Sequence, residues 1–112
     1  MLFATVVYAS STPVSSTTTI ANMIREEFGP QTVMVEVAQC ESELKQYDDN
    51  GQVLVGVTDD IGVMQINPLW LPDLKRNGID PYTLSGNIKA ARYIYDRQGL
   101  QAWVCAKKLN LI

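Results

Sequence analysis

Histidine is absent from this chain of 112 residues. Its absence excludes Ser-His-Asp triads and most zinc catalysis, because both depend on the imidazole ring. No run approaches the roughly eighteen apolar residues of a membrane-spanning helix, so we expect no membrane span. The chain also lacks a basic cluster interleaved with aromatic residues, and its net charge is −3, which argues against a nucleic-acid partner. The groups left for chemistry are carboxylates, hydroxyls and two cysteines.

Length and composition predict one globular domain. With 46% hydrophobic and 19% charged residues the chain has the composition of a folded protein, and it is too short for two domains. We place an N-terminal segment or linker at residues 1–16 and the folded domain at 17–112. The apolar start lacks a positive n-region, so it fits a clipped signal remnant, an ordered strand or an engineered boundary. We expect a monomer that needs no cofactor and no metal.

The spacing of apolar residues predicts a mostly helical α+β protein. The turn residues Asn50-Gly51 and the β-rich run over 53–57 predict one small β-hairpin in the middle. Helices are predicted from about Ile20 to Phe28, over 31–44, over 71–77, from Leu84 to Gly99, and in a last piece over 101–108. Gly29-Pro30, Gly78 and Gly99 are expected to end three of them.

Glu41 has an unusual position in the second predicted helix. The apolar stripe of that helix is Val33, Val37, Cys40 and Leu44, and Glu41 lies on the same side. Burial and the negative end of the helix dipole both disfavour a charged carboxylate there. Both effects therefore favour the protonated carboxyl group, which a general acid requires near neutral pH. The alternative is a buried glutamate paired with an Arg or Lys.

The two cysteines leave two interpretations open. Cys40 and Cys105 can form one disulfide if the protein works outside the cytoplasm, or they can be buried free thiols that behave as small hydrophobic residues. In the chain-entropy model a disulfide closing a loop of that length contributes roughly 4 kcal/mol.

Three motifs occur in order along most of the chain, over about 17–103, and together they resemble the lysozyme-like lytic transglycosylases. They are Cys40-Glu41-Ser42, the run Asp60-Ile-Gly-Val-Met-Gln-Ile-Asn67, and Gly86-Asn87-Ile88 followed by Tyr93. The central run is also similar to c-type lysozyme, with Asp60, Gln65, Asn67 and Trp70 at the corresponding positions. Both resemblances imply one architecture, a lysozyme-like fold of helices around a small β-hairpin.

The resemblance implies that Glu41 protonates the glycosidic oxygen between N-acetylmuramic acid and N-acetylglucosamine. Transglycosylases generally use one glutamate, and the 6-hydroxyl of the sugar attacks to leave a 1,6-anhydro ring. Enzymes of the lysozyme class use a second carboxylate, here Asp60, to stabilise the oxocarbenium-like centre. We therefore expect lytic transglycosylation of peptidoglycan, with hydrolysis as the alternative.

The resemblance also implies a set of substrate-binding residues: Ser42, Gln65, Asn67, Trp70, Asn87 and Tyr93. Tyr93 is expected to orient Glu41. Several of these residues have a structural alternative. Gln65 could satisfy backbone groups in a sharp loop, Trp70 could belong to the core, and Asn87 could brace the loop that holds the cleft. Asp60 could instead cap a turn.

The chain departs from the transglycosylase pattern near its end. Ala102-Trp-Val-Cys-Ala-Lys107 replaces the usual Ala-Tyr-Asn-x-Gly motif, so the tyrosine that contacts the catalytic glutamate is either absent or supplied by Tyr93 or Tyr95. This keeps a further alternative open, a non-catalytic glycan-binding module of the same fold. The expected partners are peptidoglycan strands or chitooligosaccharides, at a cell wall reached by export or by phage delivery.

Overall fold

Five α-helices and two 3-10 turns form most of residues 16–112, which are the residues that this computed structural model describes. They are α1 Thr17–Phe28, α2 Met34–Ser42, α3 Leu71–Arg76, α4 Leu84–Gln98 and α5 Val104–Lys108, with 3-10 turns at Pro68–Trp70 and Gly99–Ala102. Helical residues make up 56% of the structure, which confirms the mostly helical class. The predicted N-terminal segment, residues 1–16, lies outside the described range except for Ser16.

Helix α1 begins three residues before the predicted Ile20 and ends at Phe28, as predicted. The side chain of Ser16 caps the start by accepting a hydrogen bond from the backbone N–H of Thr19 at 3.1 Å. Gly29 ends the helix with φ 109°, a conformation that favours glycine. The helix buries Ile20 and Ile24 against the rest of the protein.

Helix α2 is shorter than the predicted 31–44. It starts at Met34, whose backbone N–H donates to the side-chain oxygen of Thr32 at 3.0 Å. It ends after Ser42 because Glu43 and Leu44 both have φ 59° and cannot continue a right-handed helix. Glu41 therefore lies in the last turn of α2, next to an abrupt change of chain direction.

The predicted hairpin is present only as isolated bridges. Tyr47 pairs with Val53, and Ile61 pairs with both Val55 and Ile66, all antiparallel. The predicted turn is there, since the N–H of Gly51 donates to the carbonyl of Asp48 at 3.0 Å. The segments between successive turns are too short for consecutive ladder bonds, so no extended strand forms within 16–112.

Helix α4 and the segment after it complete the domain. The hydroxyl of Thr83 caps α4 by accepting from the N–H of Gly86 at 3.0 Å. Gly99 ends the helix with φ 67°, as predicted. The extended residue Trp103 then separates the 3-10 turn from α5.

The core lies between α1, α2 and α4 and reaches into the central loop, residues 61–66. Met64 and Val63 from this loop are fully buried, as are Ile24 of α1 and Val37 of α2. The loop is therefore part of the core and is held between the helices. None of the helices among residues 16–112 has the length and apolar character needed to cross a lipid bilayer.

Candidate active site

The carboxylate of Glu41 is half-buried where α2 meets α5. Its Oε2 accepts a hydrogen bond from the backbone N–H of Cys105 at 3.1 Å. Cys105 lies in the first turn of α5, where backbone N–H groups have no partner within the helix. Cys105 also forms a disulfide with Cys40, the residue before Glu41, at a Cα–Cα distance of 6.0 Å. The interpretation of the two cysteines as a disulfide is therefore confirmed, and the interpretation as free thiols is wrong.

The pKa of Glu41 is raised above its ordinary value of 4.5. Burial is the largest cause, because it disfavours the charged form. The hydrogen bond from Cys105 opposes it, the negative charge of Asp60 raises the pKa further, and the positive charge of Lys108 lowers it. The direction agrees with the sequence prediction, in which burial keeps the proton on Glu41.

Asp60 lies near enough to Glu41 for its charge to act on it. One carboxylate oxygen, Oδ2, accepts a hydrogen bond from the hydroxyl of Thr58 at 2.8 Å. The other oxygen, Oδ1, is buried and has no hydrogen-bond partner among the described residues. Buried polar atoms are nearly always paired, so an unpaired carboxylate oxygen beside a second carboxyl group is unusual. Only one of the two carboxylate oxygens of Asp60 is therefore used in a hydrogen bond within its turn.

Ser42 and Gln46 hold the central loop from the side of α2. The hydroxyl of Ser42 donates to the carbonyl of Val63 at 2.7 Å, and Gln46 accepts from the N–H of the same residue at 2.8 Å. Ser42 is only 7% exposed. In the structure the hydroxyl of Ser42 is used within the protein, and its contact with substrate stays a prediction.

Asn87 holds the same loop from α4. Its side chain accepts from the N–H of Met64 at 2.8 Å and donates to the carbonyls of Ile61 at 2.9 Å and Pro81 at 2.8 Å. Asn87 has no exposed surface. These interactions match the alternative, that Asn87 braces the loop, and its contact with substrate stays a prediction.

Two further features fix the loop. The indole Nε1 of Trp103 donates to the carbonyl of Met64 at 2.8 Å. Gly62 has φ 71°, and a Cβ atom there would collide with the side chains of Asn87 and Gln46. We call the four side chains that hold residues 61–66 the loop clamp: Ser42, Gln46, Asn87 and Trp103.

Gln65 is turned back onto its own loop. Its Nε2 donates to the carbonyls of Asp60 at 3.3 Å and Gly62 at 3.0 Å, and its Oε1 lies against Gly56, where a Cβ would collide with it. The backbone of Gln65 has φ 51°, in the left-handed region that non-glycine residues rarely adopt. Its interactions in the structure match the loop-supporting alternative, and its contact with sugars stays a proposal.

Asn67, Trp70 and Tyr93 form a second group. Asn67 is exposed, and its side chain accepts from the N–H of Leu69 at 2.9 Å, so it caps the 3-10 turn. Trp70 is half-buried and meets the ring of Tyr93 edge to face, with centroids 6.2 Å apart. The guanidinium carbon of Arg97 lies 3.4 Å from the centroid of the Tyr93 ring. Two of the predicted residues, Trp70 and Tyr93, are thus brought into contact.

Neither tyrosine takes the role expected for it at Glu41. The hydroxyl of Tyr93 accepts a hydrogen bond from the amide of Asn77 at 3.4 Å, and the ring of Tyr95 packs on Phe28. Within residues 16–112 the hydrogen bond on Glu41 comes from Cys105 instead. The expectation for Tyr93 is corrected, since a backbone N–H of the C-terminal segment occupies that place.

Sequence reasoning missed Gln46, Trp103 and the backbone N–H of Cys105. Gln46 carries no motif signal, although a glutamine five residues after Glu41 falls beside the turn that ends α2. Trp103 stands where the family pattern has a tyrosine, and an indole in a divergent motif was a usable signal. No three acidic or cysteine side chains converge as metal ligands would within the described part of the chain.

Comparisons of this chain with protein-family models, with curated proteins and with solved structures found no match. They neither support nor oppose the family resemblance carried by the three motifs. Inferences about function therefore depend on the geometry around Glu41 and on those motifs.

Proposed function

We propose that this protein is a peptidoglycan-cleaving glycosidase with a lysozyme-like fold, in which Glu41 is the catalytic acid and base. The bond cut is the β-1,4 link between N-acetylmuramic acid and N-acetylglucosamine. The observation that carries the proposal is the environment of Glu41: a half-buried carboxyl group with a raised pKa beside a second carboxylate. Such pairs divide acid and base roles between two carboxyl groups in glycosidases.

The mechanism uses the proton that burial holds on Glu41. Glu41 gives this proton to the glycosidic oxygen as the bond to the muramic acid carbon breaks. The resulting carboxylate, still held by the N–H of Cys105, then takes the proton of the attacking hydroxyl and returns to its starting state. In lytic transglycosylation that hydroxyl is the 6-hydroxyl of the same sugar, so the product is a 1,6-anhydro ring and no water is consumed.

The hydrolytic route is the second candidate, and one observation favours it. Among residues 16–112 one buried oxygen of Asp60 has no partner, and the charge of Asp60 acts on Glu41, so Asp60 is not fully occupied by Thr58. A carboxylate in that place suits stabilisation of positive charge on the sugar in a lysozyme-type reaction. Transglycosylation stays our first choice because the central Met64-Gln65 pair and the Asn87-Ile88 helix carry the transglycosylase resemblance.

Mass spectrometry of products separates the two routes. Purified sacculi digested with the wild-type protein should release muropeptides that are short of one water relative to hydrolysis products. Products that carry only reducing ends would replace the transglycosylase with a lysozyme. Binding to sacculi with no release of muropeptides over long incubation would identify a glycan-binding module.

The disulfide supports the proposed place of action. Structural disulfides persist mainly in oxidising environments such as the periplasm, the cell exterior and virions. The Cys40–Cys105 bond is therefore what a protein acting on the cell wall would carry. Glycan strands of peptidoglycan, or chitooligosaccharides as their analogues, are the proposed partners.

A further inference from the structure

The Cys40–Cys105 disulfide and the hydrogen bond on Glu41 share a residue. Cys40 directly precedes Glu41 in α2, and Cys105 both closes the disulfide and donates its N–H to Glu41 Oε2. The two ends of this small ring come from positions 64 residues apart in the chain. One covalent bond thus ties the backbone of α2 next to Glu41 to the residue that supplies the donor.

Apart from the disulfide, few contacts among the described residues hold α5 and its N–H donor in place. The helix is five residues long, and its residue Ala106 is buried, while Val104 and Lys107 face solvent. A helix this short is not stable by itself, so its position depends on tertiary contacts. The indole of Trp103 anchors the chain to Met64, but it bonds the loop and not α2.

We propose that the Cys40–Cys105 disulfide positions the backbone N–H of Cys105 on the carboxylate of Glu41, which makes Cys105 a positioning residue for the reaction. The inference rests on the proposed function of Glu41 and adds a device that controls its geometry. Donors fixed by a covalent frame hold a reacting group within a narrow range of positions, and small displacements are costly in rate.

Reduction of the disulfide is chemically straightforward. Cys40 is exposed, so a dithiol reductant can reach the bond from the α2 side. The reductant supplies two electrons and two protons, the S–S bond becomes two thiols, and the dithiol is converted to its own disulfide. Among the described residues two charged groups act on Glu41: Asp60, just before the central loop, and Lys108 from α5. Displacement of α5 therefore withdraws Lys108 together with the N–H donor.

The test follows the amide of residue 105 by NMR in the oxidised protein and in a Cys40→Ala/Cys105→Ala variant. The variant keeps a backbone N–H at position 105 and removes only the covalent restraint. In the oxidised protein we expect the amide proton of residue 105 to titrate together with the carboxyl carbon of Glu41. In the variant we expect that shared titration to be lost. A residue-105 amide that still follows Glu41 in the variant would overturn the proposal.

The second part of the test measures the rate at which each protein digests sacculi. We expect the double variant to lose roughly ten- to a hundredfold in rate, and the reduced wild-type protein to match it. Leu74→Ala, which removes a fully buried side chain of α3, is the control for general destabilisation and should keep the shared titration. Wild-type rates in the folded double variant would also overturn the proposal. If Glu41→Gln is fully active, the proposed function fails, while the NMR result still decides whether the disulfide positions Glu41.

Discussion

The central loop and the carboxylate pair lie side by side, yet their polar groups are paired to very different degrees. The backbone of Ile61–Ile66 is held by four buried side chains, among them Asn87 and Trp103. Asp60, one residue before that loop, has a buried oxygen without a partner among residues 16–112, and the pKa of Glu41 is raised by burial. The clamped loop is built for stability, whereas the pair retains a buried oxygen without a partner among the described residues, and incomplete pairing of this kind is typical of functional sites.

Unfavourable backbone conformations lie at the boundary between the two regions. Glu43 and Leu44 follow Glu41 closely, Asp59 directly precedes Asp60, and Gln65 lies in the central loop; all four have positive φ. Such conformations cost free energy and persist only where surrounding contacts enforce them. We infer that the loop clamp supplies those contacts, so that changes in the clamp act on stability and changes in the pair act on chemistry.

The largest expected effect on stability comes from removing the Cys40–Cys105 disulfide, which lies next to the carboxylate pair. Removing Cys40–Cys105, which closes a separation of 65 residues, should lower the free energy of unfolding by about 4 kcal/mol. Urea denaturation of Cys40→Ala/Cys105→Ala beside the oxidised wild type measures it. A loss below about 1 kcal/mol would mean that the carboxylate region is held by packing alone.

Removing one side chain of the loop clamp should lower the free energy of unfolding by nearly as much. Asn87→Ala leaves the buried N–H of Met64 without its partner and opens a cavity, so we expect a loss of about 3 kcal/mol. Asn77→Ala is the matched control, because that amide is exposed, and it should change stability by about 0.5 kcal/mol or less. Similar losses for the two variants in urea denaturation would remove the distinction between the clamped loop and its surroundings.

The smallest effect is expected at the second carboxylate. Asp60→Asn removes a negative charge that raises the pKa of Glu41, so that pKa should fall and the decline of activity at high pH should start at a lower pH. The rate at the optimum should fall by at most about tenfold, which corresponds to about 1.4 kcal/mol in the activation free energy. A pH–rate profile measures both changes. An Asp60→Asn variant as inactive as Glu41→Gln would instead support the two-carboxylate lysozyme mechanism.

Local sequence signals predicted the helices well and the contacts between them poorly. The apolar stripe and Gly29 located α1, and the position of Glu41 on the buried side of α2 gave the direction of its pKa shift. Those features depend on residues a few positions apart. The hydrogen bond between Cys105 and Glu41 joins residues 64 positions apart and uses a backbone group, which leaves no side-chain signature.

The errors have equally local causes. The hairpin was overestimated because Asn50-Gly51 indicates a turn but says nothing about how far the flanking residues pair. For Asn87 and Ser42 the sequence could not separate substrate contact from loop support, because a polar side chain in a family motif looks alike in both roles. Only burial separates the two, and burial is a property of the folded chain.

Clearing of purified sacculi by Glu41→Gln tests the central claim most directly. The substitution keeps the shape of the side chain and its acceptor for the N–H of Cys105 but removes the transferable proton, so we expect a loss of about a thousandfold or more. Glu43→Gln, two residues further on and exposed, is the matched control and should keep wild-type activity. A Glu41→Gln protein that is folded and clears sacculi as fast as the wild type would contradict the assignment of Glu41 as the catalytic acid.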